Sequence, residues 1–263
     1  LGTWLELNGY TPHILDLCYS KLTVQDLVDY ISDIKPIFIG ISVYTENVDM
    51  ALSTAKIIKS IFTSLPIVLG GAHPTLVPQD VIGSEYVDFV IRKEGESTML
   101  ELSEAIRTNG TGIRHEDIEG LVFKRKGTVY KNKLRNMITD LDIFPLPKRE
   151  LVDIGKYNEI INISTSRGCP GNCIYCSATA LSGATYRTRY IDNVFLEIVL
   201  LKICLDDKID KFYIVDDTFT AIPERVTRFV KLIHEYDLDI FWHCESRIDV
   251  MNEKLIDKMA DGG

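Results

Sequence analysis

The stretch Ile160-Ile-Asn-Ile-Ser-Thr-Ser-Arg-Gly-Cys169-Pro-Gly-Asn-Cys173-Ile-Tyr-Cys176 decides how this chain is read. Its apolar opening, 160–164, reads as a strand, and three cysteines follow in a C-x3-C-x2-C spacing. Three thiolates this close can hold three irons of a four-iron cluster, whereas full protein ligation of a [4Fe–4S] cluster needs four cysteines. The next cysteine, Cys204, comes 28 residues later inside an apolar helical pattern. One iron is then left open for a substrate or cofactor, as on a catalytic metal. The plainer readings are a zinc knuckle or a set of core thiols. Zinc usually takes four ligands in C-x2-C pairs, and His115 and His234 stand too far off in sequence to supply a local fourth.

Downstream of the cysteines the pattern predicts a helix over 192–205, a strand over 211–215, a helix over 223–236, a strand over 240–243 and a helix over 253–259. Pro223 suits a first helical turn, and Val226, Phe229, Val230 and Ile233 form a stripe at helical spacing. Upstream, 1–9 reads as a helix tail closed by Gly9, and 12–17 as a short strand. Thr23 is a candidate N-cap for a helix over 23–31. The run 37–43 is continuously apolar, as in a strand buried on both faces. A helix over 48–61, strands over 66–69 and 87–91 and a helix over 97–106 follow. Alternation of this kind predicts a doubly wound, mostly parallel sheet, with ligands beyond the carboxyl ends of its strands. Residues 120–131 form a hairpin pattern around Lys126-Gly127, and the proline-punctuated 140–147 reads as an extended crossing.

Two strand ends in the first half are built for a ligand. Ser42-Val43-Tyr44 closes one and Gly70-Gly71 the next, with 25 residues between Tyr44 and Gly70. A small hydroxyl residue and a double glycine let a flat, bulky cofactor tail slide between backbone segments. Gly70-Gly71 alone would read as a tight strand-to-helix turn, and His73 alone as a structural hydrogen-bonder. Together, ahead of the cysteine motif and with Glu94-Gly95-Glu96 further on, they resemble the S-x-L…G-G pattern of the cobalamin-binding fold. Tyr44 departs from its leucine. The fold's histidine-bearing D-x-H-x-x-G motif would lie at or before Leu1, so the resemblance implies a chain cut there and leaves the lower axial cobalt ligand unread.

The cysteine motif carries the more specific likeness. C-x3-C-x2-C with an aromatic, here Tyr175, before the last cysteine resembles the radical S-adenosylmethionine (SAM) signature. Strand, cluster loop and alternating helices and strands match the order of that family's partial (β/α)6 barrel. The resemblance to radical SAM enzymes with a cobalamin-binding domain implies an α/β chain: a Rossmann-like cobalamin domain over 1–110 lacking its first strand, a linker with a β-hairpin over 111–158, and barrel strands 1–3 over 159–263, cut before the fourth. It implies that Cys169, Cys173 and Cys176 hold a [4Fe–4S] cluster and that SAM chelates the open iron. Asp216-Asp217, in Val215-Asp-Asp-Thr-Phe-Thr220, would take the SAM ammonium; the alternative is that Asp217 or Thr220 caps the next helix. Glu245 and Arg247 would reach the SAM carboxylate or ribose, or form a solvated ion pair. Ser42, Val43, Tyr44, Gly70, Gly71 and His73 would line the cobalamin.

The implied function is methylation of an unactivated carbon in a small molecule, lipid or peptide, with a flavodoxin- or ferredoxin-like electron donor. A cyclase resembling the anaerobic magnesium-protoporphyrin monomethyl ester type shares this domain order. A non-catalytic iron–sulfur or cobalamin sensor would need a fully ligated cluster. Methylthiotransferases place several cysteines in their N-terminal domain, where this chain has Cys18 alone.

Composition sets the outer bounds. The chain has 263 residues, 46% apolar and 25% charged, which is ordinary for globular domains. A net charge of −9 and a pI near 5.1 disfavour a nucleic-acid or anionic-membrane surface. No apolar run reaches the roughly 20 residues of a membrane span, and no secretory signal is visible. Six cysteines with no disulfide-like spacing point to a reducing cytoplasm.

Overall fold

The computed structural model describes residues 1–17, 22–154, 160–205 and 209–263; Cys18 lies outside them. Two units are present, Leu1–Met137 and Ile138–Gly263.

In the first unit α1 (Gly2–Leu7) precedes an extended stretch and α2 (Val24–Ile34). Thr23 caps α2 in a reciprocal box: its hydroxyl accepts from the Asp26 N–H at 3.2 Å, and the Asp26 carboxylate accepts from the Thr23 N–H at 2.8 Å. The strand expected over 12–17 does not form, since 12–16 join no ladder. Pro12 lacks an N–H, and Ile14 and Leu17 stay exposed, so no face of the stretch is buried.

Then come β1 (Ile39–Ser42), α3 (Val48–Ile61), β2 (Ile67–Gly70), α4 (Ala72–Leu76), α5 (Pro78–Ile82), β3 (Phe89–Ile91), α6 (Glu96–Arg107), β4 (Leu121–Arg125) and β5 (Thr128–Lys131). They build a five-stranded sheet in the order β1-β2-β3-β4-β5. The first three strands are parallel. Alternate residues serve opposite faces. Ile67, Leu69 and Val90 pack on Ala51, Ala55, Ile58 and Val81, while Val68, Phe89 and Ile91 pack on Leu102 and Ala105. Helices thus cover both faces of a doubly wound sheet.

Two expectations are corrected here. β1 is not buried on both faces: it is the sheet's edge among the described residues, and Gly40 and Ser42 are exposed. The hairpin is no part of a linker. β4 pairs antiparallel with β3, Phe89 opposite Phe123, because Leu121 and Phe123 complete the apolar face beneath α6. The crossing at 140–147 belongs to the second unit, where Asp142 accepts from the Tyr190 N–H at 2.7 Å.

The second unit contains β6 (Ile160–Ile163), β7 (Ser166–Arg167), α7 (Ala178–Ser182), β8 (Arg187–Thr188), α8 (Ile191–Cys204), β9 (Lys211–Ile214), α9 (Pro223–Glu235), β10 (Phe241–Cys244) and α10 (Glu253–Asp261). β9 lies between β6 and β10, all parallel. Among the described residues, helices cover one face only. Ile161, Ile163, Phe212, Ile214 and Trp242 bury against Val194, Ile198, Val226, Phe229 and Leu255. Phe219, Phe229 and Trp242 meet edge to face, with centroids 5.3–6.0 Å apart. The other face carries Asn162, Tyr213 and His243 in register, outside that core. Three β/α units with one bare sheet face are a segment of a barrel wall. Among the described residues no helix is long and apolar enough to cross a membrane.

Candidate functional site

The cysteine loop runs from β7 to β8, and these two short strands pair antiparallel to close its base. Arg187 tightens the base by donating to the carbonyls of Ser182 at 2.8 Å and Ile138 at 2.6 Å. At Gly168 φ is +88°, and a Cβ would overlap the Thr185 carbonyl and lie 3.0 Å from that of Gly183, so glycine is required. Cys169 is the one buried apolar side chain of this loop, and none of the loop belongs to the unit's main hydrophobic cluster.

Each of the three thiols receives a donor. Cys169 is buried; its sulfur accepts from the Gly171 N–H at 3.4 Å and lies 3.4 Å from the Thr218 hydroxyl. The Cys173 sulfur accepts from Arg247 Nη1 at 2.9 Å, and that of Cys176 from the Ala178 N–H at 3.5 Å. The thiols do not converge on one point: no group of three metal-ligating side chains around a single ion exists among the described residues. A four-iron cluster asks for something else, one thiolate on each of three different irons. Three thiols with N–H donors fit that donor chemistry. Tyr175 stands at the loop's tip, 90% exposed.

All three strand ends reach this loop. Beyond β9, Asp216 is 2% exposed and accepts from the N–H and hydroxyl groups of both Thr165 and Ser166, which follow β6. Four bonds saturate that carboxylate, so Asp216 braces the loop and has no acceptor capacity left for an ammonium. Asp217 is the opposite case. It is exposed, with no side-chain partner among the described residues. Desolvation, then the neighbouring Asp216, push its pKa above the ordinary carboxyl range. Neither residue of the alternative reading caps α9: that helix begins on Pro223 without a side-chain cap, and Thr220 meets Ser246 at 2.5 Å.

Beyond β10, Glu245 accepts from the Tyr213 hydroxyl at 2.5 Å, and this bond is the first cause of the raised Tyr213 pKa. Arg247 pairs with both oxygens of Asp249 and with Cys173. Burial, then Asp216 and Glu245, push the Cys244 thiol up to about 11. Thr165, Ser166 and Thr218 were not singled out by sequence, because hydroxyl residues carry no local signal of partners 49–51 positions away; nor was Asp249, which pairs with Arg247 two residues before it.

In the first unit the two strand ends interlock through backbone. The Val43 N–H donates to the Gly70 carbonyl at 2.8 Å, and the Val43 carbonyl accepts from the His73 N–H at 3.2 Å. Val43 is fully buried, so it ties the ends together and offers nothing to a ligand. Gly71 has φ +109°, and a Cβ would lie 2.8 Å from the Val43 carbonyl oxygen. Gly70 differs: a Cβ there would make ordinary contacts at 3.7 Å. The chain's own packing does not demand glycine at 70, and Ser42 and Tyr44 at the neighbouring strand end are exposed. His73 is buried, its Nδ1 3.2 Å from the Thr45 hydroxyl. Its Nε2 has no hydrogen bond, since Asp80 at 3.8 Å is too distant for one.

A doubly wound unit with interlocked glycine strand ends, followed by a barrel wall bearing a three-thiol loop, is a fold this chain shares with solved cobalamin-dependent radical SAM enzymes. The B12 binding domain family matches residues 1–103. The radical SAM methyltransferase TsrM from Kitasatospora setae superposes with TM-score 0.81 at 18% identity, over 100% of this chain and 53% of that one. The cobalamin-dependent SAM radical enzyme OxsB gives TM-score 0.83 at 18%, over 100% and 39%. In sequence the chain is 32% identical to an uncharacterized methyltransferase, PH0819, of Pyrococcus horikoshii, across 95% of this chain and 54% of the relative. It is 27% identical to the anaerobic magnesium-protoporphyrin IX monomethyl ester cyclase of Rubrivivax gelatinosus, across 100% and 49%. The chain thus spans about half the length of these curated relatives.

Proposed function

We propose that this chain forms the cobalamin- and SAM-binding part of a cytoplasmic radical SAM methyltransferase. The observation that carries it is the second unit's strand-end constellation: three donor-supported thiols on a loop that the ends of β9 and β10 reach through Thr218 and Arg247. When bound, the cluster and SAM supply radical hydrogen abstraction and cobalamin supplies the methyl group. Cys169, Cys173 and Cys176 hold the cluster. Asp217 takes the SAM ammonium, a cation that offsets its desolvation. Asp216 holds the loop in register with β9, and Glu245 with Tyr213 presents a polar edge for the ribose. Ser42, Tyr44 and Gly70 flank the cobalamin tail, with Gly71 shaping the cleft. A small molecule is the proposed substrate class, since TsrM is described with tryptophan bound. The likeness to the Rubrivivax cyclase over the whole chain supports ring closure as a second outcome.

The test is anaerobic reconstitution of the full-length protein with iron, sulfide and cobalamin, followed by SAM and reductant. Formation of 5′-deoxyadenosine, and transfer of label from methyl-labelled SAM to a carbon product, supports the reading. A loaded protein that leaves SAM intact with every candidate substrate refutes it.

A further inference from the structure

The segment after the third barrel strand brings a guanidinium, ion-paired to Asp249, to one thiol. Arg247 follows β10 by three residues, and its Nη1 donates to the Cys173 sulfur at 2.9 Å. Its Nε and Nη2 grip both oxygens of Asp249 at 3.0 and 2.6 Å. This fork-on-fork pair fixes the guanidinium plane, so the N–H left over is aimed rather than free. Gly171 makes the approach possible. A Cβ at 171 would overlap Nη1 and lie 3.1 Å from the guanidinium carbon. The donors to Cys169 and Cys176 are neutral backbone N–H groups, with a hydroxyl beside Cys169. The charge on the loop is therefore lopsided, with Cys173 alone facing a cation among the described contacts. Donors to ligand sulfurs are among the levers that set a cluster's potential. A cation on the sulfur stabilises whichever state carries more negative charge, which is the reduced one.

We infer that Arg247 is a positioning residue that raises the cluster's reduction potential through Cys173, with Asp249 aiming it and Gly171 leaving it room. This rests on the cluster reading above. The experiment is a potentiometric titration, followed by electron paramagnetic resonance, of the reconstituted full-length protein without SAM. For Arg247→Gln, the ratio of reduced to oxidised cluster at the wild-type midpoint should fall about tenfold, equivalent to about 59 mV for a one-electron couple. Iron content should stay at the wild-type level. Arg247→Lys should recover part of the shift. Gly171→Ala keeps every thiol and the arginine but displaces the guanidinium, and should shift the midpoint the same way. It decides the matter if Arg247→Gln fails to hold its cluster. Unmoved midpoints in iron-replete variants overturn the inference, as they would if Arg247 served only the SAM carboxylate. A wild-type protein that takes up no four-iron cluster sinks the cluster reading along with it.

Discussion

The two units close their strand ends by different means. In the first, main chain meets main chain: Val43 bonds to Gly70 and His73, and Gly71 takes a backbone conformation open to glycine alone. In the second, one buried carboxylate, Asp216, gathers four donors from the residues after β6. The glycine motif is therefore partly a requirement of folding, and its presence alone says little about a ligand. The cysteines are the reverse case. They hang on a loop outside the core, so nothing in the packing of the second unit calls for three thiols there.

The sharpest break of that contrast is at the thiols. Cys169→Ala, Cys173→Ala or Cys176→Ala should each abolish the reconstituted four-iron absorbance, while Cys204→Ala and Cys244→Ala retain it. Unfolding midpoints of the apo proteins should shift little, since two of the three thiols are not buried.

Asp216→Ala comes next. It leaves two buried N–H groups and two hydroxyls without their acceptor, a loss of about 3–5 kcal/mol by analogy with broken buried charge networks. Denaturant titration of the apo protein reads it directly. A loss under about 1 kcal/mol would show that the loop is braced elsewhere.

In the first unit Gly71→Ala should cost about 1–3 kcal/mol, because its φ and ψ lie in a region that residues with a Cβ avoid. Gly70→Ala should cost less than about 1 kcal/mol yet weaken cobalamin binding in a spectrophotometric titration. Equal effects at the two positions on stability would erase the distinction drawn between them.

The smallest effect on stability sits at Asp217. Losing a charge-assisted bond to the SAM ammonium corresponds to about 10- to 100-fold in affinity. Its raised pKa means that the folded state binds the carboxyl proton more tightly than the unfolded chain does. The associated stability is present at low pH and lost as pH rises through the folded value. Asp217→Asn should therefore raise the melting temperature of the SAM-free protein slightly at neutral pH, and less in acid, while calorimetry records weaker SAM binding.

Sequence periodicity made the alternating elements legible because helical and strand patterns are local. It failed where the answer depended on a distant partner. The hairpin at 121–131 looked independent, since nothing nearby reveals that β4 pairs with β3. The run 37–43 looked doubly buried, because apolar character does not say whether a strand lies at an edge. At the site, the three cysteines announced themselves by spacing. The division of labour between Asp216 and Asp217 did not, since strand alternation separates the two faces without saying which one meets Thr165. Arg247 reads from sequence as a contact to the SAM carboxylate or ribose, or as a solvated ion pair, until β10 brings it to a thiol 74 residues earlier.

The loop's closure by β7 and β8, apart from the hydrophobic core, also bears on maintenance. Iron–sulfur groups are vulnerable to oxidants. A loop closed by its own strand pair confines any change at the thiols to itself, so exchange of what they hold need not disturb the packing of the unit.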